Sequence, residues 1–118
     1  MTPERTKFQI GRDTPKEEVI EMITLFAERE GYRVTPDERT LSIVVKGLLK
    51  NVEKYGVPLC PCRPKEISGD LLQDEKLICP CVYLNNEIQM QGACRCRLFV
   101  NLEYYRETAN FLKEINRL

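Results

Sequence analysis

The chain has 118 residues, of which 42% are hydrophobic and 31% are charged. This length and balance are typical of one folded domain and exclude a disordered tail, so we expect residues 1–118 to form a single domain. Eighteen basic residues balance eighteen acidic ones, which argues against nucleic acid or an anionic membrane as a partner. The first seven residues contain no apolar run long enough for a signal peptide or a membrane span, which predicts a cytoplasmic protein.

The amino-terminal half predicts two amphipathic helices. A capping box at residues 14–17, with Pro15 at the first helical position, begins the first helix, and Gly31 is its expected end. A second capping box at residues 35–38 begins a longer helix that ends near Gly56. Apolar residues at helical spacing mark the buried faces of both helices: Val19, Ile20, Met22, Ile23, Phe26, Leu41, Val44, Val45, Leu48, Leu49 and Val52.

The middle of the chain, residues 57–97, has weak periodicity, four prolines and all six cysteines. A short helix is expected over residues 70–76, and residues 98–100 are expected to be extended. Helical spacing returns over residues 102–118, which predicts a mainly α fold with helices on both sides of the cysteine segment. Three aromatic side chains of this last helix are expected to be buried or half-buried: Tyr104, Tyr105 and Phe111.

The six cysteines form three Cys-x-Cys pairs, separated by sixteen and then twelve residues. The pairs are Cys60 with Cys62, Cys79 with Cys81, and Cys94 with Cys96. Six sulfurs divide naturally into four plus two, because a 4Fe–4S cluster takes four thiolates and a dithiol/disulfide switch takes two. Spacing alone does not assign these roles, since an extended segment aims both sulfurs of a pair to one side and a bend separates them. Histidine is absent, so any chemistry here rests on sulfur.

Two other interpretations of the cysteines compete with an iron–sulfur site. A four-cysteine zinc site would leave two thiols over and more often has a wider spacing between paired cysteines. Three structural disulfides are opposed by the reducing cytosol. The pattern therefore favours an iron–sulfur site.

The residues around the cysteines resemble the catalytic subunit of ferredoxin:thioredoxin reductase. The resemblance rests on three runs: Pro58-Leu59-Cys60-Pro61-Cys62-Arg63, Cys79-Pro80-Cys81-Val82, and Cys94-Arg95-Cys96 followed by Leu98-Phe99. It extends to the helix before the first pair, where Val44-Val45-Lys46-Gly47-Leu48 leads to Tyr55-Gly56. Most of the chain is covered.

The resemblance implies a mainly α fold around a 4Fe–4S cluster. Four cysteines would ligate the cluster: Cys60, Cys79, Cys81 and Cys94. Cys62 and Cys96 would form the active-site disulfide, with Cys62 as the exposed attacking thiol and Cys96 as the resolving thiol against the cluster. A ferredoxin would donate electrons one at a time, and thioredoxin, glutaredoxin or another small disulfide protein would accept them. A small second subunit, found in the photosynthetic enzymes of the family, is a further candidate partner.

Two features depart from the family pattern. The family usually has a histidine inside the third pair and a shorter segment before it, where this chain has Arg95 and twelve residues. We expect this longer segment to form an enlarged loop, residues 85–92, near the docking site of partners. Arg95 stays protonated, so it can stabilise a thiolate but cannot shuttle protons, which must come from water, a thiol or a carboxylate such as Glu87. Arg63 and Arg97 would add positive charge that stabilises thiolate and attracts an acidic ferredoxin.

The resemblance thus predicts a ferredoxin-dependent disulfide reductase. The second hypothesis is a redox sensor without enzymatic turnover, which would report the state of the same cluster and disulfide to a partner by changing shape. The third is a structural zinc module, which the two additional cysteines disfavour. Turnover with reduced ferredoxin separates the enzyme from the sensor.

Overall fold

Five α-helices and one short two-stranded ribbon make up the regular structure of residues 8–116, the part of the chain that the computed structural model describes. In chain order the elements are α1 (Lys16–Glu30), β1 (Arg33–Val34), α2 (Glu38–Tyr55), α3 (Leu71–Asp74), α4 (Leu84–Gln91), β2 (Phe99–Val100) and α5 (Leu102–Asn116). Short 3-10 turns lie at Pro64–Glu66 and Glu75–Leu77. The predicted mainly α fold is confirmed. Within residues 8–116, no helix combines the length and apolar character needed to cross a membrane.

Both predicted capping boxes are wrong, although the helices begin close to the expected positions. The Thr14 hydroxyl accepts a hydrogen bond from the Gly11 N–H at 2.9 Å, and α1 begins without a side-chain cap. At α2 the cap is Asp37, whose carboxylate accepts from the Arg39 N–H at 3.0 Å. The hydroxyl of Thr35 instead accepts from the Asp37 N–H at 3.2 Å. In both cases the threonine hydroxyl that was expected to cap the helix instead accepts a backbone hydrogen bond within the turn that precedes the helix.

Both predicted helix ends are confirmed, because Gly31 and Gly56 lie directly after α1 and α2 in left-handed conformations with φ of 77° and 85°. The connection between the two helices contains β1, which the sequence did not predict because two residues carry no periodic signal. β1 pairs antiparallel with β2, with Arg33 opposite Val100 and Val34 opposite Phe99. The predicted extended segment is therefore confirmed, and the ribbon joins α1 and α2 to the chain that follows the third cysteine pair.

One hydrophobic core joins the helices, the ribbon and the cysteine segment. Phe26 of α1 packs edge-on against Phe99 of β2 and against Phe8, with ring centroids 5.1 and 5.5 Å apart. Cys79 and Cys94 belong to the same buried cluster, so the core itself holds part of the cysteine site. The largest fully buried side chains include Val19, Ile23, Val45, Leu48, Val52, Leu84, Leu98 and Phe99. Burying each contributes about 1.5–3 kcal/mol, which gives the site a rigid base.

The expected loop over residues 85–92 is wrong, because this segment forms α4. Leu84 and Ile88, one turn apart, bury the inner face of α4 in the core. Gly92 ends the helix with φ of 84°, and its N–H donates to the Ile88 carbonyl at 2.8 Å. The hydroxyl of Tyr32 lies 2.6 Å from Oδ1 of Asn85 and joins α4 to the segment after α1.

The carboxy-terminal helix is confirmed as α5, but its aromatic residues are less buried than expected. Tyr104 and Tyr105 are half-buried, as predicted. Phe111 is 61% exposed, so the expectation that it packs in or beside the core is wrong. Among its described residues α5 has no buried side chain, because it packs on the ribbon near its start and nothing in residues 8–116 covers its outer face.

Candidate functional site

Backbone hydrogen bonds join the first and second cysteine pairs. The Cys60 N–H donates to the Leu77 carbonyl at 2.8 Å, and the Cys79 N–H donates to the Pro58 carbonyl at 2.9 Å. These bonds flank an antiparallel bridge between the neighbouring residues Leu59 and Ile78. The amide of Asn51 on α2 also donates to the Leu59 carbonyl at 2.7 Å, in addition to these bonds. Two pairs that are distant in sequence are thereby held side by side.

A tight turn presents the third pair. The Cys94 N–H donates to the Phe99 carbonyl at 3.0 Å, and the Phe99 N–H lies 3.4 Å from Cys94 Sγ. The Arg97 N–H donates to the Cys94 carbonyl at 2.8 Å, and Arg97 itself has a left-handed φ of 60°. Because Phe99 belongs to the buried ribbon, this turn fixes Cys94 directly on the core. Cys96 lies in the same turn and is half-buried.

Cys62 and Cys96 are joined by a disulfide, with their Cα atoms 5.5 Å apart. Both residues are half-buried, so Cys62 is not clearly the more exposed of the two. Their surroundings nevertheless differ. Cys96 Sγ lies 3.4 Å from Cys60 Sγ and Cys96 lines a cavity, whereas Cys62 is not among the described residues that form the cavity wall.

The other four cysteines are buried and are not in disulfides: Cys60, Cys79, Cys81 and Cys94. All four line the same cavity as Cys96, together with apolar side chains such as Leu84 and Phe99. The Sγ atoms of Cys60, Cys62 and Cys96 also lie within 4.8 Å of one another, but the sulfurs of Cys62 and Cys96 are bonded to each other, so the thiols available to a metal are the four buried ones. A buried donor set made of thiols is the kind that binds iron–sulfur centres, so the residues present fit such a group.

The buried thiols have unequal pKa values. A hydrogen bond from Cys60 is the main cause that lowers the pKa of Cys81 to about 6, and the charge of Arg63 lowers it further. The same hydrogen bond, together with burial, raises the pKa of Cys60. Burial also raises the pKa of Cys94. Because a cysteine binds a metal as the thiolate, the lowered pKa of Cys81 favours metal binding there at neutral pH.

Charged side chains next to the disulfide cysteines in sequence form ion pairs with two carboxylates. Arg63 is buried, stacks 4.3 Å from the ring centre of Tyr83, and forms an ion pair with Glu87 of α4 at 2.6 Å. A second carboxylate, Glu66, lies 3.4 Å from Arg63 and 3.6 Å from the guanidinium of Arg95. Positive charge at Arg63 is therefore held against carboxylates rather than exposed to solvent.

The predicted cysteines lie together. The Arg95 side chain is less closely associated with them, and two residues near the site were not predicted. Arg95 lines the cysteine cavity, but its side chain is 55% exposed and its guanidinium lies 3.6 Å from Glu66. Tyr83 and Glu66 were missed, and no spacing or motif in the sequence signals them. Glu87 was considered only as a proton source, although its contact with Arg63 could not be foreseen across twenty-four residues of sequence.

Comparison with known proteins adds an independent finding. A family model described as the ferredoxin thioredoxin reductase catalytic beta chain matches residues 12–117. The ferredoxin-thioredoxin reductase catalytic chain of Porphyra purpurea is 32% identical over 92 residues, which cover 78% of this chain and 73% of that protein. The chloroplastic catalytic chain of Arabidopsis thaliana is 32% identical over 94 residues, 76% of this chain and 62% of its own length. The chloroplastic catalytic chain of Spinacia oleracea is 29% identical over 98 residues, which cover 80% of this chain and 64% of that protein. The match thus spans less than two thirds of these two plant proteins.

Proposed function

This chain belongs to the ferredoxin thioredoxin reductase catalytic beta chain family, and we propose that it is a ferredoxin-dependent disulfide reductase. The family consists of oxidoreductases that act on disulfides. The observation that carries the proposal is the Cys62–Cys96 disulfide, which lies 3.4 Å from the sulfur of a buried cysteine, Cys60. An iron–sulfur centre in this thiol-lined cavity would place a one-electron carrier next to the two-electron chemistry of the disulfide.

The proposed cofactor is a 4Fe–4S cluster held by Cys60, Cys79, Cys81 and Cys94. All four are buried around one cavity, and the hydrogen bond from Cys60 that lowers the pKa of Cys81 to about 6 favours ligation at neutral pH. When bound, such a cluster supplies electrons one at a time. The turn at the third pair would hold Cys94 as a ligand and Cys96 as its redox-active neighbour, only two residues apart.

The two disulfide cysteines would divide the reaction between them. The thiolate of Cys62 attacks one sulfur of the substrate disulfide, forms a mixed disulfide and releases the other substrate sulfur as a thiolate. The thiolate of Cys96 then attacks Cys62 Sγ, which re-forms the Cys62–Cys96 bond and releases the second substrate thiolate. Two electrons thus pass to the substrate, and both its sulfurs take protons. The contact of Cys96 with Cys60 supports this order, since it leaves Cys62 as the partner that can turn outward.

The remaining roles belong to the same proposal. Arg95 would stabilise a thiolate in the reduced site by its charge, because its guanidinium remains protonated at any working pH. A ferredoxin would be the electron donor, and a thioredoxin, glutaredoxin or similar small protein would be the acceptor. A small second subunit would complete the enzyme, residues 1–118 would form one catalytic domain, and the cytoplasm is the proposed location.

Two measurements on anaerobically purified protein test the proposal. Iron and sulfide analysis should give about four of each per chain, and reduced ferredoxin should drive turnover of a thioredoxin disulfide. A Cys62→Ser variant is the control, since it should keep iron and lose turnover. One equivalent of zinc without iron would refute the cofactor. Full iron content with a disulfide that reduces but never turns over would instead favour a redox sensor.

A further inference from the structure

Glu87 of α4 touches both chain segments that carry the disulfide. Its Oε2 accepts from the Arg63 guanidinium at 2.6 Å, and Arg63 directly follows Cys62. Its Oε1 accepts from the backbone N–H of Arg95 at 3.3 Å, and Arg95 directly precedes Cys96. One carboxylate therefore bridges the residues next to the two sulfurs, by a route that does not pass through the disulfide.

The Arg63 end of this bridge is buried. Only 7% of the Arg63 side chain and 20% of the Glu87 side chain are exposed, and Nε of Arg63 has no hydrogen-bond partner among the described residues. The guanidinium also lies over the ring of Tyr83. A charge held in this way depends on its shorter carboxylate contact, because removing Glu87 would leave the buried cation with only the 3.4 Å contact to the partly exposed Glu66.

Glu66 provides a natural comparison, because it contacts the same two arginines in a weaker way. It lies 3.4 Å from Arg63 and 3.6 Å from Arg95, and 43% of its side chain is exposed. Its contact with the third cysteine pair is through the exposed side chain of Arg95. Solvent screening and side-chain entropy leave the exposed Glu66–Arg95 pair with little net effect.

We propose that Glu87 is a positioning residue that keeps Cys62 and Cys96 within bonding reach after their disulfide has been opened. In the disulfide form the covalent bond holds the two Cα atoms 5.5 Å apart, but in the dithiol form only noncovalent contacts do so. Groups held close together react with a high effective concentration, so the Glu87 bridge speeds and favours closure of the Cys62–Cys96 bond. The inference rests on the proposed function only in that these two cysteines cycle between thiol and disulfide.

The chemistry of the carboxylate suggests the variants. In Glu87→Gln an NH2 donor replaces one of the two oxygens that accept separately from Arg63 and Arg95, so one of the two contacts is lost, and so is the charge opposite Arg63. Glu87→Asp keeps the charge but is one methylene shorter, so it cannot reach both donors. The Asp variant is included because it protects folding, since it still neutralises the buried Arg63. Glu66→Gln is the matched control.

The experiment is an equilibrium titration of anaerobically purified, metal-loaded protein in buffers of reduced and oxidised glutathione. The balanced reaction converts the Cys62/Cys96 dithiol and one oxidised glutathione into the disulfide and two reduced glutathiones. Alkylation and mass spectrometry give the fraction in each state and hence the effective concentration. Glu87→Gln should lower the effective concentration about tenfold and Glu87→Asp about threefold or more. The effective concentration in Glu66→Gln should stay within about twofold of the parent value.

The outcomes are separable. The inference would be overturned if both Glu87 variants kept their iron and helical content and had the same effective concentration as the parent. It would also be overturned if Glu66→Gln lowered the effective concentration as much as the Glu87 variants do. Ferredoxin turnover is not part of this readout. A parent protein that fails to turn over refutes the proposed reductase and leaves the glutathione result to decide the role of Glu87.

Discussion

Gly47 in the middle of α2 lies directly against Pro61, the residue between the first two cysteines. A Cβ atom added at Gly47 would come within 2.6 Å of Pro61 Cβ and 3.1 Å of its Cγ. Real Cβ atoms do not approach other atoms so closely, and Pro61 is held between Cys60 and Cys62. The missing side chain of Gly47 is therefore what allows the first cysteine pair to lie on the helix.

The first prediction is that Gly47→Ala displaces the first cysteine pair. Alanine gains about 1 kcal/mol of helix propensity, but overpacking against a ring costs about 1–3 kcal/mol and acts on Cys60 and Cys62. We expect lower iron content and a slower disulfide reaction, with a small change in melting temperature. Gly11→Ala is the control, because its nearest neighbour would be 3.8 Å away. Iron content equal to that of Gly11→Ala would show that Pro61 can move without consequence.

The second prediction separates the four proposed ligands from the two disulfide cysteines. Serine at any one of the ligand positions should remove most of the iron and lower the stability of the fold, because metal binding is coupled to folding. The four positions are Cys60, Cys79, Cys81 and Cys94. Metal analysis and circular dichroism after anaerobic purification provide the measurement. A full complement of iron in any one of the four variants contradicts the assignment of that residue.

The third prediction assigns the attacking thiol. Cys96→Ser should keep its iron and accumulate a stable mixed disulfide between Cys62 and a thioredoxin-type substrate, because the resolving thiol is gone. Cys62→Ser should keep its iron and trap nothing. Peptide mapping of the trapped complex identifies the bonded cysteine. Capture through Cys96 in the Cys62→Ser variant, without capture through Cys62, would exchange the two roles.

Features of the fold that are marked by neighbouring residues could be predicted from the sequence, and features that depend on tertiary packing could not. α1 and α2 could be predicted because several apolar residues repeat at helical spacing and a glycine ends each helix. α4 was missed because only Leu84 and Ile88 mark its buried face and no side chain caps its start. The pairing of Cys62 with Cys96 came from family resemblance, since the spacing of six cysteines allows several divisions. The Arg63–Glu87 contact depends on tertiary packing, which no local pattern encodes.

The fourth prediction concerns Asp74, which holds the segment before the second cysteine pair. Its carboxylate accepts hydrogen bonds from the N–H and hydroxyl of Ser68 at 2.9 and 2.8 Å and from the Gly69 N–H at 3.0 Å. The bond from the Ser68 N–H is the main cause that lowers the pKa of Asp74 below its ordinary value of 3.8. A lowered pKa stabilises the fold above that ordinary value, and the stabilisation is lost as the pH falls through the folded-state pKa.

Asp74→Asn should therefore be less stable than the parent at neutral pH, and the difference should shrink as the pH falls below 3.8. Denaturant unfolding of the disulfide form at a series of pH values measures this. Glu75→Gln, the exposed carboxylate next in sequence, is the control and should follow the parent at every pH. A stability difference between Asp74→Asn and the parent that does not depend on pH would point to packing instead of charge.

The last prediction concerns the charge of Arg95, whose guanidinium lies 3.6 Å from the carboxylate of Glu66. Because arginine remains protonated, Arg95 can act on the reduced cysteines only by stabilising a thiolate. Arg95→Ala should then slow alkylation of Cys62 and Cys96 in reduced protein at neutral pH by about two- to fivefold, as expected for a partly exposed charge.

Three further results distinguish this effect of charge from a change of shape. Arg95→Lys should keep most of the parent rate, because it retains the charge. Glu66→Gln should change the rate in the opposite direction, since it removes the anion that offsets Arg95. Added salt should reduce both effects, because 55% of the Arg95 side chain is exposed to solvent. Alkylation rates that are the same in the parent and Arg95→Ala at every pH would remove Arg95 from the reaction and leave it as a residue of the outer surface, available to contact a partner.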